Sequence, residues 1–367
     1  MGSTPEIADF CILGAGIAGL SLADALNECG YSIIVLEKNK VASGASGTPG
    51  GLVNPATGRR ATKSWKAEQC YRTIRQNLEK VQNFSSHSFF QNNGLLRPAL
   101  SKKMVKKMRN QFDITHWPEG WCLWLNEQEI KEKHPGINCV DGGLWLPIGL
   151  TVDVTAYLKA YAKYLRSNDV QIQKKCETEF HRENAYWYIS TKEGSFKSKD
   201  LVFATGYSTL DFKHWSHLPL EGVKGQVAKF RADPSLLSFD HSLSSLGYIA
   251  RLGIEDEFIQ GSTYEHDFDE VNTDKEGEAY LRKRMAKTLP ELAKETELID
   301  QWAGVRVTTP DKKPVLGHHP EIENLHLFTA LGSKGLMYGK FLAEHYSDHL
   351  KNGANLFQEV SIERFEE

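Results

Sequence analysis

The sequence predicts an α/β fold with two domains: one built on a doubly wound, mainly parallel sheet, and a second of α+β type built on an antiparallel sheet. Residues 9–38 read as apolar strand, glycine turn, amphipathic helix and second strand, which is the pattern of a βαβ unit. Two later apolar strands, within 200–206 and 325–346, also run into small-residue turns. The regions between these segments carry short β-like runs separated by turns, which favours an antiparallel sheet for the second domain.

The turn GAGIAG in the first unit has the Rossmann spacing of a dinucleotide-binding site. Gly14 allows the tight turn, Gly16 lets backbone N–H groups approach a pyrophosphate at the helix N-terminus, and Gly19 permits close packing of helix against strand. Glu37 ends the second strand, 23 positions after Gly14, where a carboxylate can accept hydrogen bonds from ribose hydroxyls. The unit is therefore predicted to bind a dinucleotide.

Three further segments favour FAD over NAD. A glycine- and serine-rich loop, KNKVASGASGTPGGL, follows Glu37 at a place where it could wrap the pyrophosphate or reach a flavin. The strand from Asp200 to Gly206 closes on a Thr-Gly turn, and the segment from Leu325 to Tyr346 offers a second helix N-terminus to a polar or anionic group. Two nucleotide-facing turns so far apart in sequence suit an extended FAD and are not needed by NAD.

The later elements follow from apolar spacing. Helical spacing predicts a helix from Val154 to Leu165, with Asp153 as its N-cap. The segment 281–295 reads as a surface helix broken at Pro290. The nucleotide-facing segments then assign the FAD-binding domain to 1–80, 150–220 and 300–367, and the substrate-binding domain to 81–149 and 221–299, whose antiparallel sheet would cover the flavin.

Several motifs, in a fixed order over nearly the whole chain, make the sequence resemble the D-amino-acid oxidase family of flavoproteins, which includes glycine oxidase and sarcosine oxidase. Within that family the resemblance is closest to the FAD domain of a bifunctional tRNA-modifying enzyme. The motifs are GAGIAG with Glu37, ASGASG (42–47), GGLWLP (142–147), GVKGQV (222–227), GYIA (247–250), QGSTYE (260–265), WAGVRVTTPDKKPVLG (302–317) and ALGSKGL (330–336).

The resemblance implies an FAD-dependent amine or amino-acid oxidoreductase whose cofactor is held by the motif residues. Sarcosine oxidases bond their flavin to a C-terminal cysteine, but no cysteine follows Cys176 here, so non-covalent FAD is expected. The residues expected to hold FAD are Gly14, Ala15, Gly16, Ile17, Ala18, Gly19, Glu37, Lys38, Ser43, Gly44, Ala45, Ser46, Gly47, Gly51, Ala204, Thr205, Gly206, Gln226, Gly332, Ser333, Lys334, Gly335 and Leu336.

Chemistry in this family moves a hydride from the carbon beside an amine and leaves an imine that water hydrolyses. Such a reaction requires neither a nucleophile nor a metal, and neither is predicted, since GxSxG and HExxH are missing. The resemblance assigns Arg306 to the substrate carboxylate, which it would hold through a charge-assisted fork. Tyr248 would close over the same carboxylate. Lys334 stands where the tRNA-modifying relative has arginine in GSRGL, so it keeps the charge and loses the planar fork.

Composition and charge limit the expected partners. A formal charge of −3 gives no general attraction to nucleic acid, so DNA is not expected as a partner. The basic run at 101–109 reads more simply as a solvated helix face than as an RNA contact. No run of 18 apolar residues occurs, and no membrane partner is expected. The six cysteines form no CxxC pair or regular framework, which favours a reducing, cytoplasmic location.

Three functions fit these residues. The first is oxidation of a small amine or amino acid, namely glycine, an N-substituted glycine or a D-amino acid. The second is removal of the carboxymethyl group from carboxymethylaminomethyluridine in tRNA, although NPATGRR at 54–60, with Arg59 and Arg60, departs from the tRNA-modifying relative. The third is a non-catalytic subunit that only holds FAD, against which Arg306 and Tyr248 argue. We favour the first function.

Overall fold

The computed structural model describes residues 7–237 and 239–365. Its helices are α1 Ile17–Glu28, α2 Ala67–Gln82, α3 Lys102–Ile114, α4 Glu127–Lys133, α5 Val154–Ser167, α6 Lys275–Thr288, α7 Pro290–Lys294 and α8 Gly335–Asn352. Its strands are β1 Ile7–Leu13, β2 Ile33–Glu37, β3 Gly51–Val53, β4 Ala56–Thr57, β5 Thr62–Lys63, β6 Phe90–Gln91, β7 Leu95–Pro98, β8 Leu123–Leu125, β9 Gly143–Leu146, β10 Leu150–Val152, β11 Gln171–Lys174, β12 Glu179–Glu183, β13 Tyr186–Thr191, β14 Gly194–Phe203, β15 Glu221–Arg231, β16 Ser242–Ser244, β17 Tyr248–Ala250, β18 Glu257–Gly261, β19 Glu297–Thr308, β20 Val315–His318 and β21 Leu325–Thr329.

The first large sheet has a parallel centre in the order β11-β2-β1-β14-β21. Strand β14 branches: its first half pairs with β13 of the antiparallel β12-β13 hairpin, and its second half pairs with β21. Strand β20 completes the sheet beside β21. Because parallel strands end at the same edge, the turns that follow β1, β14 and β21 are brought together there.

Both faces of this sheet are buried. Alternate residues of β1 enter two different apolar clusters, with Ile12 in the cluster below α1, α5 and α8 and Cys11 in the cluster on the opposite face. Every residue of β2 is buried. Such strands read as continuous apolar runs, which is why they were evident in the sequence. The predicted α/β class follows from this doubly covered sheet.

The second large sheet is mainly antiparallel, in the order β19-β15-β18-β17-β16-β7-β9-β8, with one parallel pair between β16 and β7. The twelve-residue strand β19 lies at one edge and pairs along nearly all of β15. The predicted domain boundary at residue 300 therefore falls inside a strand of this sheet. The division into two domains otherwise stays a prediction.

The helices begin and end largely where the sequence indicates. Asp153 caps α5, since its carboxylate accepts a hydrogen bond of 2.8 Å from the Ala156 N–H. The segment predicted as a surface helix with a break forms α6 and α7 on either side of Leu289, as expected from Pro290. It is not simply a surface feature, because Leu281 and Met285 are fully buried in the cluster beneath β15 and β18.

A buried carboxylate joins the helices on one face of the parallel sheet. Asp24 of α1 is 1% exposed and lies 2.6 Å from the Lys340 ammonium of α8 and 2.9 Å from the Lys80 ammonium of α2. The Tyr161 hydroxyl of α5 donates a third hydrogen bond of 2.6 Å to it. Burial alone would raise the pKa of Asp24, but the two lysines lower it below its usual value. Removing one partner would therefore leave a buried charge unpaired.

Among residues 7–237 and 239–365, no helix is long and apolar enough to cross a bilayer.

Two buried histidines in the antiparallel-sheet region lie against each other. The rings of His134 and His241 have centroids 3.8 Å apart, and neither nitrogen of His134 has a hydrogen-bond partner within the described residues. Burial, with the nearby Lys133 charge, lowers the pKa of His134 to about 4. Burial, with His134 and Lys133, lowers the pKa of His241 to about 3. Both rings are therefore neutral at pH 7.

We expect this pair to make the fold sensitive to acid. In the unfolded chain these histidines take up protons near pH 6.5. The free energy of unfolding is therefore highest above that pH and decreases as the pH falls towards 4. At pH 5.5 the loss should be about 1 kcal/mol per histidine. Denaturant titrations at pH 7.5 and 5.5 should show a smaller loss for His134→Phe than for wild type. An equal loss in His134→Phe and in the exposed control His181→Phe would contradict the assignment.

Candidate active site

The glycine turn between β1 and α1 has no room for side chains at two positions. Gly14 has a φ of +108°, and a Cβ atom there would lie 2.5 Å from the Ala204 carbonyl oxygen. A Cβ on Gly19 would collide with the Gly14 carbonyl oxygen. The absence of side chains lets α1 approach both β1 and the end of β14. The N-cap residue of α1 is Gly16, which has no side chain to cap the helix, so the N-terminus offers backbone donors and a positive dipole end to an anion.

The carboxylate of Glu37 is fixed at the end of β2. It accepts hydrogen bonds of 2.8 Å from the N–H groups of Ala15 and Asn39, and one of 2.9 Å from the Ser43 hydroxyl. Glu37 is 7% exposed. A carboxylate has about four acceptor positions, so one position stays open for a further donor. Lys38, the next residue, is exposed to solvent.

The loop between β2 and β3 folds back over the glycine turn. The Ser46 hydroxyl accepts a hydrogen bond of 3.1 Å from the Ile17 N–H at the start of α1. Gly47 needs its missing side chain, since a Cβ there would lie 2.5 Å from the Ala42 carbonyl oxygen. Gly44 and Ala45 lie between these contacts. The loop expected to wrap a cofactor thus lies directly on the N-terminus of α1.

The second predicted turn meets the first. A Cβ on Gly335, at the start of α8, would lie 3.3 Å from Ile17 Cδ1, and a Cβ on Gly51 would lie 3.0 Å from Leu336 Cδ1. No side chain caps α8. Three other predicted residues lie nearby. Gly332 has a φ of +55°, and Ser333 is exposed. Ala18 packs at the edge of the apolar cluster below α1, α5 and α8. The N-termini of α1 and α8 therefore converge at one place.

The third turn closes the group from β14. The Ala204 N–H donates a hydrogen bond of 2.9 Å to the Leu13 carbonyl, which places Ala204 beneath the glycine turn. The hydroxyls of Thr205 and Thr209 lie 2.8 Å apart, and Gly206 has a φ of +58°.

These turns fit a bound dinucleotide. The glycines form a cradle that Cβ atoms would fill, the N-termini of α1 and α8 can supply donors for a pyrophosphate, and Glu37 can supply an acceptor for ribose hydroxyls.

Arg306 lies on β19, and its guanidinium crosses β15 to the segment that follows β18. Nη1 donates to the Ser262 hydroxyl at 3.2 Å, and Nη2 donates to the Thr263 carbonyl at 2.7 Å. The crossing is possible only because Gly225 lies beneath it, where any Cβ would collide with Nη2. The outer side of the guanidinium lies 4.4 Å from the ring centroid of Tyr264.

The charge of Arg306 has no acidic partner among the described residues. Arg231 of the same sheet differs in this respect, since it pairs with Asp256 at 2.9 Å and with Glu257 at 3.1 Å. Arg306 is half-buried, so its charge is only partly hydrated. A ligand carboxylate would supply the missing partner.

Tyr248 joins the antiparallel sheet to the loop over the glycine turn. Its hydroxyl donates a hydrogen bond of 2.9 Å to the Gly50 carbonyl. Burial raises the pKa of Tyr248 to about 12, although the Thr48 hydroxyl and the Arg306 charge partly oppose the increase. The phenol is therefore protonated at neutral pH and acts as a donor.

An apolar group surrounds Tyr248. Trp302 and Leu52 pack with it against the buried residues Val227, Ala250 and Ile259. The Trp302 ring also covers Gly304 and approaches Gly47. Trp302 was not predicted as a site residue, although it opens the WAGVR motif. Gly225, Ser262, Thr263 and Tyr264 were not predicted as site residues either.

Two predicted residues lie apart from this group. The Lys334 ammonium donates to the Lys312 carbonyl at 3.1 Å, and burial together with the Lys312 charge lowers its pKa. Gln226 is 1% exposed on the face of β15 opposite to that of Gly225, where Asp274 and Glu265 hold its side-chain amide. The structure therefore places Gln226 away from the glycine turns.

A basic surface lies on α3 and the β4-β5 hairpin. Met104 and Met108 of α3 pack in the same cluster as Ala56 and Ala61 of the hairpin. Six cations on this surface are exposed and form no ion pair within the described residues, in contrast to Arg109, which pairs with Asp113 at 3.1 Å. The six residues of the basic surface are Arg59, Arg60, Lys102, Lys103, Lys106 and Lys107.

Known proteins resemble this chain along most of its length. The chain is 27% identical over 340 residues, 88% of its length, to the tRNA 5-methylaminomethyl-2-thiouridine biosynthesis bifunctional protein MnmC of Hydrogenovibrio crunogenus, of which it spans 49%. The chain thus spans about half the length of this relative. It is 22% identical over 395 residues to a D-amino acid dehydrogenase of Helicobacter pylori, covering 94% of this chain and 95% of that protein.

The fold of this chain also resembles that of a solved structure. The crystal structure of glycine oxidase from Geobacillus kaustophilus superposes with a TM-score of 0.85 at 20% sequence identity, covering 96% of each chain. The predicted fold class is confirmed. The sequence profile of the FAD dependent oxidoreductase family matches residues 9–349. This match confirms the predicted family and the predicted enzyme class, an FAD-dependent amine or amino-acid oxidoreductase: the chain belongs to the FAD-dependent oxidoreductase family.

Proposed function

We propose that this enzyme oxidises the CH–NH bond of a glycine-like amine whose carboxylate is bound by Arg306. The observation that carries the proposal is the half-buried guanidinium of Arg306, which has no acidic partner among the described residues. It lies in the same sheet as Tyr248, whose hydroxyl reaches the loop over the glycine turn. A carboxylate on Arg306 would therefore place the neighbouring carbon beside that loop.

The residues of this chain orient the substrate, while bound FAD would supply the redox chemistry as acceptor of a hydride from the carbon beside the nitrogen. Arg306 would hold the carboxylate through its planar fork, which restricts rotation of the substrate. Tyr248 would donate its single phenolic O–H to the carboxylate in place of the Gly50 carbonyl, which accepts it in the structure. Trp302 and Leu52 pack beside Tyr248 and would form the apolar wall of the site.

FAD is proposed to be held non-covalently by the three converging turns. Cys11, Cys70, Cys122 and Cys176 are buried, and all six cysteines are free thiols in the structure. A cytoplasmic location stays a prediction from the cysteine pattern.

The purified protein should be yellow, and acid precipitation should release all of its flavin as FAD. Glu37→Gln should retain less FAD, because one oxygen acceptor and the charge on the ribose side are lost, at a cost of roughly 1.5 to 3 kcal/mol. Fluorescence titration of apoprotein with FAD measures this loss. Colour in the washed pellet would contradict non-covalent binding, and unchanged affinity in Glu37→Gln would remove Glu37 from the site.

Truncation of Arg306 should cost substrate binding and leave the flavin in place. Loss of a buried charge-assisted pair is worth about 2 to 5 kcal/mol, or roughly thirty- to several-thousand-fold in affinity. Anaerobic bleaching of the flavin by glycine, sarcosine and D-alanine should be impaired in Arg306→Ala. Arg231→Ala, which loses an arginine of the same sheet that has acidic partners, is the matched control. Bleaching by Arg306→Ala at the wild-type rate would disprove the proposal.

A second candidate substrate is an N-substituted glycine attached to tRNA. Two observations favour it: the similarity to tRNA-modifying relatives and the basic surface, whose six cations have no acidic partners among the described residues. A carboxymethylaminomethyl group presents the same carboxylate and secondary amine to Arg306 as a small N-substituted glycine. The chemistry of the site is unchanged, and only the carrier of the substrate differs.

Salt dependence separates the two candidates. Affinity for RNA should fall with log salt by a slope of roughly −0.7 to −0.9 per phosphate contacted, whereas a free amine should show little dependence. We expect flavin reduction by the true substrate to be nearly independent of salt and of reversing the four α3 lysines of the basic surface to glutamate. The control reverses Lys159 and Lys163, which are exposed on α5. If only tRNA bleaches the flavin, and the α3 reversal alone abolishes this, the second candidate is correct.

A further inference from the structure

A polar network lies on the reverse face of β15, opposite Gly225 and outside the site described above. Lys224 is 5% exposed and lies 3.2 Å from a Glu265 carboxylate oxygen and 3.3 Å from an Asp274 carboxylate oxygen. The Gln226 side-chain amide donates to Glu265 at 3.1 Å and to Asp274 at 2.8 Å, and it accepts from the Asp274 N–H at 3.0 Å. These four residues, Lys224, Gln226, Glu265 and Asp274, are called the reverse-face network.

The network holds the segment that binds Arg306. Thr263, whose carbonyl accepts from Arg306, donates its own N–H to the Gln226 carbonyl at 3.1 Å. Its hydroxyl accepts from the Gln226 N–H at 2.8 Å and also contacts the Glu265 carboxylate. Lys224 and Glu265 exchange two backbone hydrogen bonds of 2.9 and 3.0 Å. The segment 262–265 is thus fixed to β15 by both backbone and side chains.

The network is also anchored outside the sheet. Asp274 caps α6 through a hydrogen bond of 2.7 Å from the Gly277 N–H. Gly277 lies directly on the Gln226 amide, where no Cβ atom would fit. Burial alone would lower the pKa of Lys224, but Glu265 and Asp274 raise it above its usual value. The ammonium is therefore charged, and the carboxylates around it are held in one arrangement.

We propose that the reverse-face network positions Arg306 for the substrate carboxylate, through Ser262 and Thr263. This inference rests on the proposed function, because it assumes that Arg306 binds the carboxylate. The guanidinium needs such support, since it spans β15 over Gly225 and has only the segment beyond β18 to hold its far end. The four network residues are positioning residues, and they touch neither the substrate nor the cofactor.

The test uses purified holoenzyme and acetate as the probe, with binding followed through the absorbance of the flavin. Glu265→Gln keeps the size of the side chain and removes its charge, which should shift the segment by a fraction of an ångström. We expect acetate affinity to fall by about tenfold or more, because small misplacements of an orienting group are costly. Affinity for acetamide, which lacks the charge, should not change. In turnover, KM for the carboxylated amine should rise while FAD content stays at the wild-type level.

Two further variants keep the test independent of folding effects. Thr263→Val removes the hydroxyl that joins Thr263 to Gln226 and Glu265, whereas Thr263→Ser keeps it, so only Thr263→Val should weaken acetate binding. Glu257→Gln is the matched control, since Glu257 pairs with Lys229 and Arg231 across β15 and β18, away from Arg306. Its acetate affinity should equal that of wild type.

The outcomes separate this inference from the proposed function. If Arg306→Lys binds acetate as wild type does, the proposed function is wrong and the inference is overturned with it. If Arg306→Lys loses acetate affinity while Glu265→Gln and Thr263→Val keep it, only the positioning role is overturned. A loss that is equal for acetate and acetamide would likewise overturn it, because a general disturbance of the site does not distinguish charge.

Discussion

The close approach of backbone to backbone at Gly14 and Gly19 is the constraint on which the rest of the site depends. Because neither residue has a side chain, α1 can begin directly against β1 and the end of β14. Missing side chains also allow α1 and α8 to approach closely, since Gly335 and Gly339 face Ile17. If either helix were displaced by the width of a methyl group, the two helix N-termini would no longer converge.

The loop between β2 and β3 ties the antiparallel sheet to this centre through two of its glycines. Tyr248 bonds to the Gly50 carbonyl, and Trp302 packs against Gly47. The nucleotide-facing loop and the arginine-bearing sheet are therefore coupled mechanically. A change in the loop on binding FAD would displace Tyr248 and Trp302, and with them the apolar wall of the site.

Local patterns in the sequence were sufficient for the first unit, because GAGIAG, the apolar strands and Glu37 are close together in the chain. The turns at Ala204 and Gly335, which we propose hold FAD, could be expected for the same reason. The partners of Arg306 could not, since they arise when β15 pairs with β18 on one side and β19 on the other, over long separations. Gln226 shows what a motif alone leaves out. It follows Gly225 in a strand, and alternation along the strand turns its side chain to the opposite face.

The partners of Asp24 are synthesised at different times. Asp24 of α1 is bonded to Lys80, Tyr161 and Lys340, so one buried carboxylate links segments made early and late in translation. Until α8 has left the ribosome, Asp24 lacks the lysine that is nearest to it, and the parallel sheet lacks β21. Elongation from α1 to α8 takes on the order of tens of seconds. During that interval the nascent chain has the turns after β1 and β14 but lacks the one before α8, so the proposed FAD site is incomplete until α8 has been made.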